Sequence, residues 1–122
     1  VEANQADEAL KPFTEGLAKA KTELQDATMW LMQNGLMNPD NAGAASTDYM
    51  HLFGLTALTY MWARIAKTVL EKVAGGETDP FYANKLVVGR FFLQRVLPEA
   101  GAHLTKLTSG SDLMMALPAE AF

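Results

Sequence analysis

The chain has 122 residues, 49% hydrophobic and 20% charged, a balance that suits one folded domain with a real core and argues against disorder. A net charge of −4 and a pI near 5.0 disfavour nucleic acid and anionic membrane as partners, since both attract basic surfaces. Cysteine is absent, which removes disulfides, thiolate nucleophiles and Cys-based metal sites and fits a reducing compartment. The N-terminus, Val1-Glu2-Ala3-Asn4-Gln5, lacks the basic-then-apolar pattern of a signal peptide, so a cytoplasmic protein is expected.

The first predicted helix covers Asp7 to Asn34. Leu10, Phe13, Leu17, Ala20, Leu24, Ala27 and Leu31 step by three and four residues, the spacing of a core-facing stripe. Glu8, Lys11, Glu15 and Lys19 take the opposite side, with Glu15 four before Lys19 in the favourable order. Pro12 fits only a first turn, so the regular helix is expected to begin between Asp7 and Lys11, or to kink there. Gly35 ends it, and Asn38-Pro39-Asp40-Asn41-Ala42-Gly43 reads as a turn-rich connector.

The second predicted helix, Tyr49 to Val73, is the centre of the reading. No Asp, Glu, Lys or Arg interrupts it from Tyr49 to Ala63. One face carries Leu52, Phe53, Thr56, Tyr60, Ala63 and Ala66, and another Leu55, Leu58, Trp62, Ile65 and Val69. A helix apolar nearly all round is expected to be buried on most sides, with Trp62 and Phe53 as core anchors. The uncharged run is too short for a membrane span. Ser46, Thr47 and Asp48 supply cap oxygens at its start, and Gly75-Gly76 stops it.

Asp79 as cap and Pro80 at the first helical position open the third helix, whose stripe is Phe81, Tyr82, Leu86, Val87, Gly89, Phe92, Leu93, Val96 and Leu97. Pro98 must kink or break it. The helical pattern resumes through His103, Leu104 and Leu107 until Ser109-Gly110-Ser111. The tail from Leu113 to Phe122 is apolar enough that it is expected to dock on something. No period-two alternation marks a strand. The expected fold is all-α: an antiparallel up-and-down bundle of three long helices, the third kinked or broken at Pro98, forming a single domain over residues 1–122.

The inventory of chemistry is sparse. His51 lies within the second helix with Gly54 near it but no Lys of the kind a phosphotransfer helix uses, so a half-buried structural histidine is expected. Glu99 and His103 lie four apart and could reach one metal, but a di-metal bundle needs further inward carboxylates, and the inward positions are Leu, Phe, Ala and Tyr. Arg64, Arg90 and Arg95 read as solvated or interface-paired cations. Trp30 and Trp62 read as core. Met29, Met32, Met37, Met50, Met61, Met114 and Met115 are expected to fill core gaps, the alternative being an adaptable docking surface. Neither a Gly-rich phosphate loop nor a G-x-S-x-G motif is present. No catalytic, cofactor-binding or metal-binding residue is assigned.

Six groups of residues in order carry a resemblance. They are Ala27-Thr28-Met29-Trp30-Leu31; Asp48-Tyr49 followed by Leu52-Phe53-Gly54; Trp62-Ala63-Arg64-Ile65-Ala66; Phe81-Tyr82 followed by Lys85-Leu86; Phe91-Phe92 followed by Arg95-Val96-Leu97-Pro98; and Leu117-Pro118-Ala119-Glu120-Ala121-Phe122. Together they resemble the C-terminal extension of a subgroup of bacterial acyl-CoA dehydrogenases similar to 3-methylmercaptopropionyl-CoA dehydrogenase. The resemblance implies a parent enzyme that binds FAD and oxidises an acyl-CoA thioester at Cα–Cβ. The flavin site and catalytic glutamate would belong to an upstream dehydrogenase core. The absent initiator Met fits an excised C-terminal domain and equally a whole protein trimmed at its start. Such a domain would dock on the core of the same chain and act in homo-oligomer assembly, favouring a dimer over a tetramer. The other reading is a free-standing helical protein that binds an apolar ligand or partner helix.

Overall fold

The computed structural model describes residues 2–122. Helix α1 spans Glu2–Asn34, α2 Pro39–Ala74, α3 Pro80–Phe91 and α4 Glu99–Leu107; a π-helical turn, Phe92–Val96, joins the last two, and a short 3₁₀ turn, Ala119–Ala121, lies near the C-terminus. Among the described residues there is no strand. The all-α expectation holds.

The rods run antiparallel, and small residues set their spacing. In α1 the buried positions Phe13, Ala20 and Ala27 recur every seven residues; in α2 Ala45, Leu52, Thr59 and Ala66 do the same. That repeat keeps one narrow seam facing a neighbour. Thr56 Oγ1 donates to the Ala20 carbonyl at 3.4 Å, and Thr28 Oγ1 and Tyr49 Oη share a hydrogen bond of 2.8 Å, which fixes the opposed register of α1 and α2. Thr59 is wholly buried; its hydroxyl donates to the Leu55 carbonyl at 2.7 Å, so no orphan donor is left inside. Ala27, Ala45, Leu52, Ala100 and Leu107 form one core cluster, walled by Leu24, Trp30, Leu31 and Leu104.

Helix boundaries depart from the sequence expectation at two places. Helix α1 begins well before Asp7 and continues through Pro12. Pro12 and Glu8, whose carbonyl loses its α-helical partner, are both exposed, so water can satisfy the freed group. The favoured surface pair is also different: Lys11 Nζ lies 3.8 Å from Glu15, both well exposed, a contact of little energetic weight. Helix α2 begins at Pro39, so the supposed connector is its first turn: Asn38 Oδ1 accepts from the Asp40 N–H at 3.2 Å, and Pro39 sits where its missing N–H costs nothing. At the other end Gly75 caps α2 and Gly76 adopts φ 102°, a left-handed conformation that glycine alone takes cheaply.

The third rod starts as expected, with Asp79 Oδ1 accepting from the Phe81 N–H at 2.9 Å. Its disruption precedes Pro98. The Leu97 N–H reaches back five residues to the Phe92 carbonyl at 2.9 Å, widening one turn, and Pro98 then stands as the N-cap position of α4. A proline at 98 cannot continue the α pattern onto Gln94, and the wide turn carries the rod past it.

The second helix is not buried on most sides. Met50, Phe53, Leu58, Tyr60 and Met61 are exposed, Phe53 to 55%, so Phe53 is not a core anchor; Trp62 is half-buried. Among the described residues α1 and the third rod make the main contacts with α2. The largest fully buried side chains are instead Phe13, Leu52, Leu107 and Thr59.

Candidate functional site

The polar groups of the bundle gather where α4 crosses the first half of α2. Asp48 and His51 are three apart on α2, His103 and Lys106 three apart on α4, so each pair shares a helix face. His103 Nδ1 lies 2.9 Å from Asp48 Oδ1, and Lys106 Nζ lies 3.3 Å from the same oxygen. The His51 and His103 rings stack with centroids 5.1 Å apart and planes 11° from parallel. Burial pushes the Asp48 carboxyl up, but hydrogen bonds and charge from His103 and Lys106 outweigh it and hold the group below its ordinary value of 3.8.

Asp48 with His103 makes the orienting half of a nucleophilic triad, yet none of the described hydrogen bonds links His103 to a hydroxyl. The pair therefore reads as a tie between α2 and α4. His51, expected half-buried with a hydrogen bond, is exposed and stacked. His103, considered with Glu99, is paired with Asp48, and among the described residues no group of three or more His, Asp or Glu is arranged to hold a metal. Sequence reasoning missed the Asp48–His103 pair. The matching three-residue spacings were visible, but nothing local aligns two helices 55 residues apart.

A second polar tie lies nearer the start of α2. Asn41 Oδ1 accepts from both the N–H and the hydroxyl of Ser111, at 3.0 and 2.8 Å, and Ser111 is buried. Gly110, at φ 75°, turns the chain into it.

The apolar surface departs most from expectation. Every one of the seven methionines is exposed, from 49% at Met61 to 91% at Met37, so the gap-filling role is overturned. Met side chains on a surface suit adaptable docking. Phe81, Val87, Val88 and Phe91 are exposed on α3, and the tail from Leu113 to Phe122 docks on nothing described, with Leu113 91% and Phe122 94% exposed. The arginines do not form one constellation: Arg64 lies over the Tyr60 ring at 5.9 Å, while Arg90 and Arg95 flank Val87 and Phe91 on the third rod. Trp30 and Trp62 are half-buried; Trp62 stacks on Phe92 with centroids 6.3 Å apart and takes the Lys85 ammonium over its face at 5.3 Å. Trp30 packs against the core cluster. Among the described residues no helix is long and apolar enough to cross a membrane.

Fold and ties together define the class: an all-α antiparallel helical bundle. The chain belongs to the family described as acetyl-CoA dehydrogenase C-terminal like, whose model matches residues 1–118. The broad resemblance read from the six groups of residues is thereby shown. A search of curated proteins gives no match.

Proposed function

We propose that this chain is the non-catalytic C-terminal helical domain of an FAD-dependent acyl-CoA dehydrogenase, similar to the bacterial, cytoplasmic 3-methylmercaptopropionyl-CoA dehydrogenase subgroup, and that it acts in domain docking and subunit assembly. One observation carries the assembly role: all seven methionines, with Phe53, Phe81 and Phe91, face outward. Exposed apolar side chains that adjoin one another mark an interaction site, and Met61 and Phe81 line one groove. FAD and the acyl-CoA would be held by an upstream core, and this domain would cover part of that core or a second subunit.

The test is deletion of residues 1–122 from the full-length protein, read by light scattering and by flavin absorbance. Loss of the native assembly state with flavin retained supports the role. An unchanged assembly state overturns it. A reading frame without a dehydrogenase core upstream would instead favour the free-standing binding protein.

A further inference from the structure

Between α2 and α3 runs a groove of about 400 Å³. Its lining includes the apolar side chains of Met61, Ile65, Val69 and Phe81 and the cations Arg64 and Lys85. Neither cation is in an ion pair among the described residues; Arg64 is held over Tyr60 and Lys85 over Trp62. An apolar trough with two uncompensated positive charges, in a chain of net charge −4, selects an apolar segment flanked by acids. The chain carries such a segment. Leu113, Met114, Met115 and Leu117 are all exposed, with Asp112 before them and Glu120 after.

The segment cannot reach its own groove. Ser111 is fixed to Asn41 near the start of α2, and α2 rises about 35 Å from there to Arg64 at 1.5 Å per residue. Leu117 follows Ser111 by six residues, a reach of at most about 22 Å when fully extended. The segment is short and turned: the Met115 N–H donates to the Ser111 carbonyl at 3.0 Å and the Ala116 N–H to the Leu113 carbonyl at 3.4 Å, so its apolar side chains stand close together.

We infer that the groove receives the Leu113–Leu117 segment of a second copy of this chain, with Asp112 and Glu120 set against Arg64 and Lys85. Groove and segment lie toward opposite ends of the bundle, so two copies related by a two-fold axis exchange both contacts at once. Such an exchange closes at two subunits. The inference rests on the reading of the apolar surface as an interface, and it names the occupant.

Sedimentation velocity of the 122-residue chain over a concentration series tests it. The chain is expected to dimerise, and removal of residues 112–122 to leave it monomeric. Arg64→Glu with Lys85→Glu should weaken the dimer about tenfold, as should Asp112→Lys with Glu120→Lys. All four changes together should restore it. The positions reversed are exposed or half-buried, and circular dichroism of each variant confirms the fold; mutual rescue cannot come from misfolded chains. A dimer that survives loss of the tail, or reversals that do not rescue each other, overturns the inference and leaves the broader interface reading standing. A strictly monomeric chain that also fails to bind apolar dye overturns both.

Discussion

At Gly89 the three rods meet. A Cβ there would lie 2.7 and 2.9 Å from two ring atoms of Phe13 and 2.9 Å from Trp62 Cε3. Overpacking of this kind costs about 1–3 kcal/mol, while alanine returns up to about 1 kcal/mol of helix propensity. Gly89→Ala should therefore destabilise, by about 1–2 kcal/mol at the centre of that range. Gly54, exposed in mid α2 with nothing within 4 Å, supplies the contrast; Gly54→Ala should stabilise by up to about 1 kcal/mol. Thermal unfolding of the pair checks the sign of both. The two phenylalanines diverge in the same way. Phe13→Ala opens a buried cavity and should cost about 3–5 kcal/mol, whereas Phe53→Ala, already half in water, should cost about 1 kcal/mol or less. Asp48 gives a pH signature. Its folded value lies below 3.8, so its contribution is present above that pH and is lost as pH falls through the lower folded value. The melting temperature of Asp48→Asn should lie below that of the wild type at neutral pH, with the gap narrowing as acid protonates Asp48.

The same cap chemistry opens two elements, and only one of them is plain in the sequence. Asp79-Pro80 was legible as cap and first helical residue; Asn38-Pro39 has the same form but sits in a run of Asp, Asn and Gly that reads as a turn. Asn38→Ala and Asp79→Ala should each cost about 1 kcal/mol in denaturant melts. The helices themselves were plain in the sequence because Phe13, Ala20 and Ala27 repeat with the bundle's own period. The burial of α2 was not. Apolar residues lie all round it, and the sequence alone cannot distinguish an intramolecular neighbour from a surface left for a partner. The break in the third rod was legible at Pro98, but not its form, since nothing in the local sequence of Phe92–Val96 marks a π turn. Of the polar cluster, the residues were visible and their pairing was not, because Asp48 and His103 meet only once α2 and α4 are docked.

For the molecule as a whole, the core and the surface differ in one chemical respect. None of the buried residues is a methionine, and all seven methionines are accessible. Peroxide should therefore convert them to sulfoxides without opening the bundle. Intact-mass spectra are expected to show full modification while helical circular dichroism persists; unfolding on oxidation would show that some of these sulfurs support the core. Under conditions where copies associate, peptide mapping should find Met61, Met114 and Met115 slowed and Met37 unaffected. The sulfur atoms then serve as a built-in set of contact reporters, each residue recording whether its part of the surface is wet or covered.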